Sequence, residues 1–477
     1  MKIMKNIKFY ILSIVAMMMS VSCEKALDIN TDPLVATTAD ANVVLPFVIV
    51  QYSNRHTTEL GTRIMDVSQH LSANFNSPRN GSTSIFLTGN TWGMMYTQVL
   101  GNLLLVEQDA IDAGESSNNV AAIAMILKGQ IFYELSSIWE KVPFSEALDG
   151  VQYPSPAFDT QQQVFEGVLT ILDEAVALID AMPAEGIFDV SVGDLIYHGD
   201  MDNWKRYANS LKLRVLMLLR NGDGGTTYDA QIISTLGASL IDDNSQVPMI
   251  RYTTAAGGIN GFQGLNEAFF GTSNESTEVY APGEHTYSLI KNNALDPRNE
   301  LLLYDPNDES PVNGLFASST QAVLSDNVIR RDLPHVLYLP AEISFYRAEL
   351  ALKGVATGDN AQTEFGNGIT QILQWWGQDI PGAVVTISDA DITAYIGSLP
   401  AVDLNAVYEQ EYLETFLRPV VAWNHVRRTG IPALSPPSAT SITTILKRFN
   451  YPPDEVAANP NTPVNERTDL PMWFENL

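Results

Sequence analysis

Between residues 197 and 220 the chain reads YHGDMDNWKRYANSLKLRVLMLLR. Apolar residues recur at Trp204, Tyr207, Ala208, Leu211, Val215 and Leu218, the spacing of one helix face. Leu213, Leu216, Met217 and Leu219 fill the other sides, so the second half of this helix belongs inside the protein. Asp200 is placed to cap its start through a side-chain oxygen. Asp202 adds negative charge to the first turn, where the helix dipole favours it. Gly222 is placed to end it. Arg214 lies in the apolar half and needs a carboxylate or carbonyl partner, because an unpaired buried charge is costly. The pattern predicts a central packing helix rather than a catalytic one.

The same periodicity recurs along the chain. Residues 41–75 give two helical patterns with a break near Ser53–Thr57. Residues 90–112 carry Trp92, Tyr96, Val99, Leu100 and Leu103, and residues 118–138 carry Ile123, Ile126, Leu127, Ile131 and Leu135; together they predict an antiparallel hairpin. Helix 160–181 pairs with 200–220, 340–353 with 361–376, and 403–418 with 420–428. Helix pairs of roughly thirty-five to forty-five residues suggest degenerate tetratricopeptide-type units stacked into a superhelix, although the consensus repeat text is absent. Residues 76–90 and Pro143–Asp159 read as loops. Residues 241–335 hold Gly257, Gly258, Gly261, Gly264, Gly271, Pro282, Pro306 and Pro311 with few clean periods. Loops, short helices and a small hairpin are expected there. An irregular stretch this long in a compact protein is usually functional, so 241–335 is the expected ligand-facing region.

The N-terminus changes the picture of where the protein works. Lys2, Lys5 and Lys8 precede the apolar run Phe9–Met19, which is too short to span a bilayer and reads as a signal peptide over 1–22. Small residues then lead to Cys23, the only cysteine. A lone cysteine here reads as a lipid-attachment site carrying acyl chains such as palmitate, which hold a protein at a membrane surface without a spanning helix. Residues 23–40 are a polar tether, and 41–477 are expected to form one domain. The formal charge is −28, a field that repels phosphate backbones and makes nucleic acid an unsuitable partner.

Several stretches resemble one family. The run Gly199–Arg214 is similar to the central signature of the SusD/RagB family. Leu27–Pro33, the Pro-Phe-Ser-Glu-Ala run at 143–147 and Asp296-Pro297-Arg298 resemble further family text. So do the Ala-Glu pairs at 341–342 and 348–349, Arg427–Pro432, and Arg448–Asn459, whereas Met472-Trp473-Phe474 departs from the usual ending. The resemblance implies a mostly α fold: a superhelix of tetratricopeptide-like helix pairs with an irregular, loop-rich region packed on it. It also implies a lipoprotein on the outer face of the outer membrane. Such a protein captures an oligosaccharide for a SusC-like TonB-dependent transporter, without catalysis and without a cofactor.

Catalytic signatures are missing. There is no H-E-x-x-H, no G-x-S-x-G and no phosphate-binding Gly-Lys-Ser/Thr loop, and the six histidines lack metal-ligand spacing. The glycines at 257–264 read as a flexible loop. Asp305, Asn307 and Glu309 alternate like calcium ligands, but the loop lacks the glycine and the glutamate an EF-hand needs. Binding chemistry is the better reading: aromatics stack on sugar rings, and Asn, Asp, Gln and Arg pair with hydroxyls. The resemblance points to the early loop and the irregular region, where Asn74, Phe75, Asn76, Arg79, Phe262, Phe269, Phe270 and Tyr280 are candidate contacts, with local packing as the competing role for each aromatic. Among the tryptophans, Trp375-Trp376 is the pair expected to reach a surface, because neighbours on a helix face different sides. An oligopeptide ligand and a surface-anchored glycan-degrading enzyme are the alternative functions.

Overall fold

The computed structural model describes residues 40–73, 85–270, 280–313, 320–437 and 443–476. From Asp40 onward they form one compact unit. Helix α1 (Ala41–Thr57) starts where Asp40 accepts a hydrogen bond from the Asn42 amide at 3.0 Å. A break at Thr58, next to the expected one, leads into α2 (Glu59–Val67) and the short strand β1 (Leu71–Ala73). Helix α3 (Ile85–Met94) passes through a wide π-helical turn (Met95–Leu100) into α4 (Gly101–Ala113). Helix α5 (Asn118–Trp139) returns against α4, the hairpin read from the apolar spacing.

Two longer helices follow. Helix α6 (Gln161–Asp180) opens on a capping box in which Thr160 and Gln163 satisfy each other's backbone amides. Helix α7 (Met201–Asp223) is the central signature helix, and Asp200 caps it by accepting from the Asn203 amide at 3.0 Å. It ends at Gly224, in the left-handed conformation, and not at Gly222. Gly222 serves packing instead. A β-carbon there would lie 2.5 Å from the Trp473 ring, so its hydrogen lets the C-terminal segment lie flat on the helix. Helix α8 (Asp229–Leu236) closes this part.

The irregular half contains β2 (Met249–Ile250), α9 (Gly261–Phe270), β3 (Tyr280–Pro282), α10 (Glu284–Lys291), α11 (Arg298–Leu302) and β4 (His335–Val336). The expected local hairpin is replaced by two long-range antiparallel pairs, β1 with β3 and β2 with β4. The glycine-rich run is not a loop throughout. Asn260 is buried, accepts from the Phe262 amide at 2.8 Å and donates to the Leu333 carbonyl at 2.8 Å, which starts α9. The remaining helices are α12 (Pro340–Leu352), α13 (Ala361–Gln374) with a π-helical turn at Trp375–Asp379, α14 (Asp389–Ser398), α15 (Leu404–Glu414), α16 (Pro419–Thr429) and α17 (Pro453–Ala458). The pairs α5/α6, α6/α7, α12/α13 and α15/α16 pack as neighbours.

Buried ion pairs join these helix pairs. Arg214 finds the partners its position demands: Nε and Nη2 donate to Glu342 at 2.7 and 2.8 Å, and Nη2 also to the Leu337 carbonyl at 3.0 Å. Arg418 donates to the same Glu342 at 2.9 Å and to Glu414. Arg428 grips Glu349 and Glu411. Glu342 and Glu349 are seven positions apart on α12 and face the same side, so one helix receives arginines from α7, from the turn before α16 and from α16 itself.

Candidate functional site

The β1–β3 ladder gathers the stretches singled out in the sequence. Leu71 pairs with Pro282, Ser72 with Ala281 and Ala73 with Tyr280. The Ala73–Tyr280 pair closes one end of the ladder. Gly283 sits so close that a β-carbon would fall 1.9 Å from the Gln69 carbonyl oxygen. A third segment is tied to the same place: the Asn313 side chain accepts from the Glu284 amide at 3.1 Å and donates to Gln69 Oε1 at 3.2 Å. Beneath the ladder, His70 lies face to face with Tyr412 at 3.7 Å between ring centres. One ring nitrogen of His70 lies 2.9 Å from Ser68 Oγ, and the other 2.7 Å from the Tyr412 carbonyl. Burial pulls this imidazole down to about 3.

Further along the chain, α3 and the π-helical turn that follows it form one wall of a cavity of about 440 Å³. Gly89, Trp92, Gly93, Tyr96 and Thr97 line that wall; the loop with Pro143, Leu148, Pro154 and Pro156 lines a second, and Pro452, Asp454, Glu455 and Asn459 a third. Trp92 is locked edge-on against Trp139 and stacked on Phe158. Its indole N–H donates to Glu455 at 3.3 Å, while the Tyr96 hydroxyl donates to the Pro143 carbonyl at 2.8 Å. Asn459 spends its amide on Pro156 and Glu455. What remains for a ligand is apolar wall and carboxylate acceptors, since no Lys or Arg among the described residues lines the cavity. That chemistry accepts hydroxyl or ammonium donors and repels anions.

The comparisons with known proteins agree with this architecture. Residues 37–452 match the family model described as "SusD-like_2: Starch-binding associating with outer membrane". The chain belongs to the SusD-like family. Solved relatives include the Bacteroidetes AC2a SusD-like protein, with a TM-score of 0.77 at 19% identity, covering 92% of this chain and 100% of its own. A chitin-binding SusD homologue from Flavobacterium johnsoniae superposes with a TM-score of 0.71 at 19% identity, over 91% of this chain and 97% of its own. A SusD/RagB family protein from Bacteroides thetaiotaomicron gives 0.72 at 18% identity, over 92% and 99%. At these identities the likeness is one of fold. No curated protein matches the chain.

In this SusD-like chain the candidate contacts divide into distinct groups. Cys23, Asn74, Phe75, Asn76 and Arg79 lie outside the described residues, as do the side chains of Phe269 and Phe270 at the end of α9. Phe262 and Tyr280 are corrections. They are 2% and 1% exposed and pack edge-on at 5.5 Å, with Phe262 seated over Gly61. A short helix and a strand carry them inward, which the glycine-rich text around them conceals. Trp375 and Trp376 are both buried too, because the π-helical turn is covered on both of its sides. Asp305 accepts from the Asn307 amide in a local turn, and no group of three metal-ligating side chains occurs among the described residues. The cavity residues Trp92, Tyr96, Asp454 and Glu455 are not legible in the sequence as a site. They come from segments more than 300 positions apart, as the Trp92–Glu455 bond shows, and helical spacing alone reads Trp92 and Tyr96 as core.

Proposed function

We propose that this protein is a lipid-anchored, surface-exposed binder that captures an oligosaccharide and passes it to a TonB-dependent outer-membrane transporter, without catalysing a reaction. The observation that carries the reading is the family match over residues 37–452. The signal-like N-terminus ending in Cys23 supports anchoring through acyl chains there. No helix among the described residues is long and apolar enough to cross a membrane.

The proposed ligand face takes Asn74, Phe75, Asn76, Arg79, Phe269 and Phe270 as its contacts, on the family resemblance. The pairing of Ala73 with Tyr280, which flank these stretches in the sequence, supports this grouping. Phe262 and Tyr280 are support for that face rather than part of it. The cavity beside α3, with acceptors and no cation among its described lining residues, favours a neutral glycan over a sulfated or uronate one.

Isothermal titration of the chain from Glu24 onward against malto- and chito-oligosaccharides tests the reading. Saturable heat with an unchanged ligand on chromatography is the expected result. Shortened sugars would overturn the non-catalytic claim, and binding of peptides alone would shift the ligand class to oligopeptides.

A further inference from the structure

A cleft of about 460 Å³ opens between residues 242–251 and the end of α13 with its π-helical turn. It shares no lining residue with the β1–β3 ladder or with the cavity beside α3. The amide donors on its walls are already spent on the protein. Gln374 Nε2 donates to Asp389 at 3.2 Å, and Gln378 Nε2 donates to the Ile387 carbonyl at 2.7 Å. Asn244 Nδ2 donates to Asp379 at 2.7 Å and to the Gln371 carbonyl at 3.0 Å. Because both of these partners are acceptors, that end of the Asn244 amide is the nitrogen. What the walls still offer are the amide oxygens of Asn244, Gln374 and Gln378 and the carboxylates of Asp242, Asp243 and Asp379.

One of these oxygens is orphaned. Asn244 lines the cleft at 8% exposure, and its Oδ1 accepts no hydrogen bond among the described residues. A buried acceptor without a donor is costly, so a ligand that brings an N–H or O–H is favoured there. The charge is negative as well. Arg206 lies 3.5 Å from Asp242 and offsets it, while Arg251 is the one cation among the described lining residues. Asp243 and Asp379 therefore outweigh Arg251. Hydrogen bonds from the Ser245 hydroxyl and amide hold the Asp243 carboxyl below its ordinary range, so it carries its charge. The C-terminal end of α13 adds the negative end of a helix dipole.

An ammonium group matches these demands, since it donates three hydrogen bonds, accepts none and carries a positive charge. The carboxylates do not group as metal ligands among the described residues. A lysine side chain would bring the ammonium on a long apolar stem, for which the cleft has only Met249 and Pro381 as apolar wall. Ring hydroxyls instead suit the Gln374 and Gln378 oxygens. We infer that this cleft binds an amino sugar through its ammonium group, with Asn244 Oδ1, Asp243 and Asp379 as acceptors. The site is separate from the proposed glycan face and does not depend on it.

The test is calorimetry on the chain from Glu24 onward, in about 150 mM sodium chloride so that ordinary counterion attraction is screened. The probes are the disaccharide of glucosamine, its diacetylated form and Nα-acetyl-lysine methylamide. The free amine is expected to bind at least about tenfold more tightly than the acetylated sugar. Asp243→Asn/Asp379→Asn should remove that preference with helix content unchanged. Asparagine at 243 still accepts from the Ser245 amide, and at 379 it still accepts from Asn244. Arg251→Gln should act in the opposite direction and tighten amine binding about threefold, because it removes the opposing charge. Equal affinity for the two sugars would overturn the inference, as would a double variant that binds the amine like the wild type. Tighter binding of the lysine compound than of the amino sugar would overturn the assignment to a sugar. Substitution at 243 and 379 leaves the cavity beside α3 intact, so amine binding there would survive the double variant and be told apart.

Discussion

Glu342 accepts from Arg214 and Arg418 with no exposure to solvent, and these guanidinium groups hold its carboxyl down to about 2 against burial, which pushes the other way. Removing one partner strands a charge in the core. Arg214→Leu is expected to cost about 3–5 kcal/mol, read by urea unfolding, and a loss below about 1 kcal/mol would show the pair to be dispensable. Acid sensitivity follows from the same group and from His70. Glu342 and Glu349 are both depressed to about 2 from an ordinary 4.5, so their stabilisation is complete above 4.5 and is lost as pH falls through 2. His70 is depressed to about 3 from 6.5, and His285 and His335 are depressed as well. The unfolded chain then takes up protons that the folded chain refuses, so stability falls as pH drops from 6.5 toward 3. The unfolding midpoint should decline on acidification below 6.5 and more steeply below 4.5. His70→Asn should flatten the slope between about pH 6.5 and 5, and an unchanged slope would clear His70 of the effect.

At the scale of elements, capping and periodicity were legible because they are local. Asp200 caps α7 and Thr160 caps α6 from within a few residues of the helices they start. The end of α7 was not, because Gly222 answers to Trp473, about 250 positions away, while Gly224 is the residue that turns left-handed. Gly222→Ala should force that ring off the helix and cost about 1–3 kcal/mol, with faster proteolysis after residue 465 as a second readout. Gly224→Ala acts through backbone strain and through a 2.3 Å approach to the flexible end of Asn476, which can swing aside, so it should cost about 1 kcal/mol with Trp473 still seated on the helix. Equal proteolysis in both variants would contradict the separate roles. The glycine-rich run at 257–264 shows the same limit. Asn260 turns it into a helix start only because the Leu333 carbonyl is there to hold its amide.

Across the whole molecule the acidic surface and the carboxylate-rimmed cavity are what support the proposal of a neutral ligand. Binding of a neutral oligosaccharide should change less than about threefold between roughly 50 and 500 mM salt, whereas a charged ligand should lose affinity steeply, and calorimetry at several salt concentrations separates the two. A sulfated glycan that bound tightly at low salt would contradict the assignment. Fold class, helix pairing and the need for a buried partner at Arg214 were all readable, since each depends on residue type and short spacing. So was the family, through motifs kept in fixed order along the chain.

The sequence alone determined most of the longer paired helices, the capped start of α7, and that Arg214 must be neutralised inside. Tertiary structure decided that Glu342, 128 positions away, does so, and that Arg418 shares it. It turned Phe262 and Tyr280 into core, and it assembled a cavity from Trp92 and Glu455. It also joined residues 73 and 280 in one ladder. The division has a physical cause: capping and helical periodicity act over a few residues, whereas burial and hydrogen-bond pairing are settled by whichever distant segment packs against a side chain.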